Sequence, residues 1–501
     1  MIVPFIYNLE VTSDYDHITV FYFYLMMSKK FGGPIISHER YFMKPTEIYL
    51  KIVGKEELKS AADTLEFDIP EDKDLDNIKK YFITQKFEDK MINAFESQMD
   101  CWTCLLSEEY APFEELIGQL LDRIERECND KIEAILCFYE PISLRIAADK
   151  RNIKVIHQEG TMFRKPFYRM AGYFDFKEGY GCGELEERYC RFKEEIKNKK
   201  IKLFSRKEIC ALFMTSYGLN YIDLMDAEPT YEMGVGLADF SRGVNLKDGL
   251  INTDEILLEA RRNFPLNEIR TRSRYGGGVF NDKSPSAFHF ILKCKRVAAL
   301  HSNLSFEAML LNRIAYVYGK SPYRFIANKN ISDKSDKNVP LDFINFTTFG
   351  YFVPWELLRD TEYIRWRLTQ PSEIEIYEKH MEFYLQDRGV IHSLQLEPGM
   401  ALKYILSTQN VKVADKDEKV LPLLDKYEVL SEEYKTLNGS YKLAVDNYDK
   451  LNMEYKKLLD AYNIAIKNYD KLNQEHKEVI EAYNIAVENY DKLNAEYKKL
   501  L

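Results

Sequence analysis

The chain has 501 residues, 46% apolar and 30% charged, which is more than one hydrophobic core sustains and calls for two or three structural units. A net charge of −10 gives a field that repels nucleic acid and anionic lipid, so neither is expected as a partner. The N-terminus lacks a basic segment before an apolar run, and the longest apolar stretch, 18–27, falls short of the ~20 residues that cross a bilayer. A cytoplasmic protein without a membrane span is therefore expected, reaching the inner face of the membrane through partners.

Residues 18–27 read as a buried strand or helix. Eight cysteines in so long a chain fit reduced thiols; Cys101 and Cys104 have metal-knuckle spacing but supply only half a zinc site, so buried thiols are expected there. Residues 132–139 form a short apolar strand, 142–151 a helix and 153–157 a second strand, a βαβ unit that implies a parallel sheet. The charges crowded into 194–207 mark a linker, although a charged surface helix has the same composition.

The alternation then resumes. Strands are expected at 231–238, 268–272, 296–300 and 314–318, with helices at 253–263, 286–293 and 305–311, the second entered just after Pro285. Residues 343–355 are aromatic and polar, and core packing is the simpler account of them. Residues 372–388 read as a helix opened by a capping box of Ser372 and Glu375 after Pro371.

The tail repeats every seven residues: Tyr427, Tyr434, Tyr441 and so on to Tyr497, with His476 in one gap, and an apolar series three places later from Leu430 to Leu500. Alternating steps of three and four make one stripe on a helix, the pattern of a left-handed coiled coil. Asn438, Asn452, Asn473 and Asn494 interrupt an adjacent column and are suited to fixing register or strand number. The run Tyr448 to Asn452 returns at Tyr469 and at Tyr490, a 21-residue duplication. At ~1.5 Å per residue, the stretch 421–501 would extend on the order of 120 Å.

In open α/β sheets ligands bind beyond the carboxyl ends of strands. Glu159, after strand 153–157, is suited to general acid or base work; a loop carboxylate paired with Arg164 accounts for it equally well. Asp239 sits in a polar loop after strand 231–238, where an Asx turn is the competing account. Arg270, Arg272 and Arg274, beside a triple glycine, offer forked donors for a phosphate, or line a solvated edge strand. Ser302, Asn303 and Ser305 stand where a helix N-terminus offers free N–H groups, with N-capping as the plainer role for Ser305. Glu307, in the first turn, grips a ribose or complements the helix dipole.

The segments "HQEG", "GVGLADFS", "EIRTRSRYGG" and "VAALHSNLSFEAMLLNRIAYVYGKSP", in that order over about 132–323, resemble GT-B glycosyltransferases of bacterial capsule and O-antigen assembly, of the retaining β-Kdo transferase type. The resemblance implies an α/β chain of two Rossmann-like domains followed by the coiled coil. Its divisions are an N-terminal acceptor-side domain at 1–200, a nucleotide-sugar domain at 201–371, a helical connector at 372–420 and the coiled coil at 421–501. It further implies Glu159 and Asp239 as cleft carboxylates, with Ser302, Asn303, Ser305 and Glu307 along the donor nucleotide and the arginines on its phosphate. The donor would be a nucleotide sugar such as CMP-Kdo, the acceptor a glycan or glycolipid, and no further cofactor is called for.

Where such enzymes often carry a His-Pro pair, this chain has Arg272-Ser273-Arg274-Tyr275, which can hold a phosphate but offers no near-neutral acid. No metal is expected, since no Asp-x-Asp stands at a strand end in this region. The tail would join copies of the chain or recruit a partner protein. Two other readings use the same features: a catalytically inactive scaffold of this fold that recruits partners through its tail, and a sugar-nucleotide epimerase.

Overall fold

The computed structural model describes residues 1–9, 14–47, 55–177, 183–197, 201, 203–237, 253–272, 281–300, 303–333 and 336–387, with 474, 476–477, 479–495 and 498 of the tail. Residues 1–408 form one compact unit and residues 409–501 a second.

The first unit contains two parallel sheets. Strands β1 (Ile2–Ile6), β2 (Ile35–His38), β3 (Lys80–Ile83), β4 (Ala134–Cys137) and β5 (Lys154–His157) lie in the order β3-β2-β1-β4-β5. Strands β1, β2 and β4 are buried throughout, as strands covered on both faces should be. The apolar stretch at 18–27 is helical, inside the helix Asp14–Phe31, and packs Phe21, Tyr22, Tyr24 and Leu25 into the core beside β1. The βαβ unit expected at 132–157 is present as β4, the helix Ile142–Asp149 and β5.

Two residues, Ala171–Gly172, form β6, and the second sheet follows. It comprises β7 (Tyr231–Gly236), β8 (Ile269–Arg272), β9 (Cys294–Ala299) and β10 (Ile314–Val317), all parallel, in the order β10-β9-β7-β8. The helices Thr253–Asn263, Ala287–Lys293 and Leu304–Leu310 make its crossovers. Each expected element of this half lies within about two residues of its place, the usual margin for helix and strand ends.

A short strand, β11 (Val353–Pro354), pairs antiparallel with β6 and returns the chain to the first sheet. There Trp355 stacks on Phe23 with ring centroids 5.1 Å apart, and its indole N–H donates to the Leu65 carbonyl at 2.7 Å. The helix Glu373–Asp387 begins with the expected capping box: Ser372 and Glu375 exchange hydrogen bonds between side chain and backbone. It packs on Leu185–Ile196, where buried Arg188 grips Glu373 at 2.9 Å and donates to the Gly350 carbonyl. Glu194 to Ile196, read as the start of a linker, close that helix. Phe343, Thr347, Thr348, Tyr351 and Trp355 are all buried, so the aromatic segment 343–355 is core.

In the second unit, residues 479–495 are helical. Val479, Ile480, Tyr483, Val487, Tyr490 and Leu493 of the heptad stripe stand exposed on it.

Candidate active site

The candidate site is built from loops that leave the carboxyl ends of both sheets. Strand β5 ends at His157, and Gln158, Glu159 and Gly160 follow. This loop is clamped by the chain around β6. His157 and Asp175 exchange backbone hydrogen bonds, Tyr173 N–H donates to the Glu159 carbonyl at 2.7 Å, and Thr161 N–H donates to the Ala171 carbonyl at 3.0 Å. Gly172 makes that approach possible, because a Cβ there would lie 2.9 Å from the Glu159 carbonyl oxygen and 2.4 Å from Leu358. Gln158 fixes the other side, donating its amide to the Leu358 carbonyl at 3.1 Å.

The backbone of Glu159 is thus held while its side chain is partly open, 28% exposed and 3.7 Å from Nε2 of buried His157. Arg164 donates to the carbonyls of Gly160 and Thr161, at 2.8 and 2.7 Å. Burial raises the hydroxyls of Tyr24, Tyr173 and Tyr323 far above the ordinary tyrosine range, and the Glu159 charge adds to that shift. All three therefore stay protonated near this carboxylate, and the Tyr24 hydroxyl donates to the Gln158 carbonyl at 3.4 Å.

From the second sheet, the chain leaving β9 brings Asn303 to the same place. Its Nδ2 donates to the Gly160 carbonyl at 3.4 Å, and its Oδ1 accepts from the hydroxyl of Tyr173. Tyr173 and Tyr323 hydroxyls lie 2.6 Å apart, so two buried rings close the contact. Four residues on, Glu307 accepts from the Tyr168 hydroxyl at 3.1 Å. Burial raises this carboxyl to about 7, opposed by the Tyr168 hydrogen bond and by the Arg272 charge. Ser305 is fully buried, and its Oγ has no hydrogen-bond partner among the described residues.

The two described arginines part company. Arg272 ends β8 at its carboxyl edge, donating to the Ser284 carbonyl at 2.9 Å and lying 3.6 Å from Asp282. Arg270 turns toward the amino end of the strands, covering the ring of Tyr231 at 4.0 Å and donating to the Asn267 and Ile269 carbonyls. Asp239, Arg274 and Ser302 lie outside the described residues. Glu159, Asn303 and Glu307 are therefore linked through Gly160, Tyr173 and Tyr168, with Arg272 acting on Glu307 through its charge, and Arg270 set apart. Tyr168, Tyr173 and Tyr323 escape sequence reasoning because a lone Tyr carries no periodic signal; Tyr168 and Tyr173 flank β6 shortly after "HQEG", whereas Tyr323 lies 150 residues from Tyr173.

Residues 6–184 match the glycosyltransferase 99 family N-terminal domain. The match takes in β2 to β5 and the Glu159 loop, and it ends before β7 begins. Among solved structures, the chain is similar to Thermosulfurimonas dismutans KpsC, beta Kdo 2,7 transferase, at 16% identity over 45% of this chain and 78% of that one, TM-score 0.30. It is similar also to the same organism's KpsC beta Kdo 2,4 transferase, at 14% identity over 45% of this chain and 85% of that one, TM-score 0.27. A third is the wall teichoic acid polymerase TagF, at 11% identity over 81% and 89% of the two chains, TM-score 0.18. No curated protein matches the chain. Among the described residues no helix is long and apolar enough to cross a membrane.

Proposed function

We propose that this glycosyltransferase-family chain moves a sugar from a nucleotide-activated donor to a glycan or glycolipid acceptor, with CMP-Kdo the first donor to try. The observation that carries this reading is the contact of Asn303 with Gly160 and Tyr173, which sets the turn entering Leu304–Leu310 against the loop holding Glu159. In it Glu159 is the acid/base, Asp239 the nucleophile or ion-pair stabiliser, and Arg272 with Arg274 the counter-charge to the leaving phosphate. Ser302, Asn303, Ser305 and Glu307 would border the nucleotide, and no cofactor beyond the donor is called on. Arg270 has no part in donor binding on this reading, because its guanidinium is engaged at Tyr231.

The exposed stripe from Val479 to Leu493 supports association of the tail with a second copy as a coiled coil. The division of the first unit into an acceptor-side and a donor-side domain belongs to the same proposal. Donor turnover with CMP-Kdo and UDP-sugars, with and without glycan acceptor, tests the function. Glu159→Gln should lower turnover about 10²–10⁴-fold, as removal of an acid/base does. Turnover indifferent to that change, or absent with every donor, would favour the scaffold reading.

A further inference from the structure

Cys137 and His157 end the adjacent strands β4 and β5 and are direct partners in their register, so both side chains leave the same face of the sheet at its carboxyl edge. Glu140 follows Cys137 by three residues, just before the helix Ile142–Asp149. One donor atom from each of the three lies within 4.8 Å of the other two, and all three residues are buried, at 0%, 6% and 1% exposure for Cys137, Glu140 and His157. Among the described residues this is the group of thiol, carboxylate and imidazole that could close on one ion.

The surroundings prepare the donors. Arg145 Nε holds Oε1 of Glu140, and its NH1 donates to the Phe176 carbonyl at 2.6 Å, so the carboxylate is fixed with Oε2 turned to Cys137 Sγ at 4.0 Å. Glu159 lies 3.7 Å from Nε2 of His157, a carboxylate beside the imidazole like those that orient metal-bound histidines. Helix spacing, by contrast, puts Cys101 and Cys104 on the single helix Gln98–Ser107, where burial pushes the Cys101 thiol up to about 12.

We propose that Cys137, Glu140 and His157 bind a divalent transition metal of the zinc class, as a structural clip between the ends of β4 and β5. A thiolate, an imidazole and one carboxylate oxygen form a borderline-soft donor set that favours zinc over magnesium or calcium. Tetrahedral zinc holds such donors at about 2.0–2.3 Å, hence roughly 3.5 Å from one another, so the three must close by about 1 Å, with water in the fourth position. Binding exchanges the Cys137 thiol proton for the metal and releases that proton to solvent. Without metal, the S–H points to the Ile156 carbonyl at 3.7 Å, so the proton is the competing occupant. The clip stands directly beneath the Gln158-Glu159-Gly160 loop, and it does not depend on the sugar-transfer reading.

The test uses the full chain, stripped with chelator and reloaded with zinc or cobalt(II), followed by elemental analysis and absorption spectroscopy. The expected result is about one metal per chain and a thiolate-to-cobalt charge-transfer band that Cys137→Ser abolishes. Zinc affinity should fall at least tenfold in His157→Gln and Glu140→Gln, and about 10–100-fold in Glu159→Gln. Circular dichroism of the metal-free variants separates lost binding from lost folding, and a rise in Tm on zinc addition in the unsubstituted chain provides a second readout. Absence of stoichiometric metal with no cobalt–thiolate band, or a band and stoichiometry unchanged in Cys137→Ser, would overturn the proposal.

Discussion

The Tyr168 hydroxyl donates to Glu307 Oε1 at 3.1 Å, tying the chain beside β6 to the first turn of Leu304–Leu310. Glu307 is nearly inaccessible, so the acid is held against solvent that would stabilise its charge, and burial raises it to about 7. An unfolded glutamate titrates near ~4.3. Between those values the folded chain keeps a proton that the unfolded chain has lost, so the stabilising contribution is full below about pH 4 and is lost as pH rises through 7. Glu307→Gln removes this dependence. Its stability relative to the unsubstituted chain should rise from pH 5.5 to pH 8, by about 2 kcal/mol at most. Urea titrations across that range check it, and a pH-independent difference would contradict it.

Gly172 is the position where the Glu159 loop comes closest to the β6–β11 ribbon. A methyl group there would meet the Glu159 carbonyl, Leu358 and Trp355 at 2.9, 2.4 and 3.1 Å. Gly172→Ala should cost about 1–3 kcal/mol of stability, the usual price of overpacking. It should also lower donor turnover beyond what the stability loss explains, because Glu159 moves with its backbone. Thermal melts and turnover at a temperature well below Tm separate the two effects.

Arg188 and Glu373 form a buried ion pair, each less than 5% exposed, that holds the helix Glu373–Asp387 to Leu185–Ile196. Arg188→Met leaves Glu373 with only half-exposed Arg191 as its cation and should cost about 3–5 kcal/mol. Adding Glu373→Leu should recover most of that loss, since two apolar residues avoid the desolvation of both charges. Chemical denaturation of the single and double variants measures the recovery.

The exposed stripe on residues 479–495 predicts self-association. Tyr483→Glu together with Tyr490→Glu puts carboxylates on a seam that coiled-coil pairing would bury, and should convert an oligomer to a monomer in sedimentation velocity. A chain that is monomeric before the change would contradict pairing between copies.

Much of the fold is legible in the sequence where hydrophobic period and element length agree. The βαβ unit at β4 and β5 and the four strands of the second sheet are short segments with alternating or mostly apolar residues, set off by helices. The first three strands are harder to read. Pro4 lies in the central strand β1, where a missing N–H ordinarily argues against a central position, and it pairs there with Leu136. Strands β2 and β3 are four residues each and are separated by helices whose charges dominate the composition. At the site, the strand-end rule leads to Glu159, Asn303 and Glu307. It does not separate Arg270 from Arg272, which lie on one face of β8 and differ only in which end of the strand their guanidiniums reach. Nor does it reveal Tyr168, Tyr173 and Tyr323, whose roles arise from contacts more than a hundred residues apart in sequence.

That difference between the two arginines gives the most direct check on the proposed donor site. Calorimetric titration of CMP and CMP-Kdo into the full chain, Arg272→Ala and Arg270→Ala compares them under one condition. A charge-assisted hydrogen bond to a phosphate contributes about 1.5–3 kcal/mol, so the expected result is binding weakened about tenfold or more by Arg272→Ala and left unchanged by Arg270→Ala. Equal loss in both variants, or no binding of either compound to the unsubstituted chain, would contradict the account.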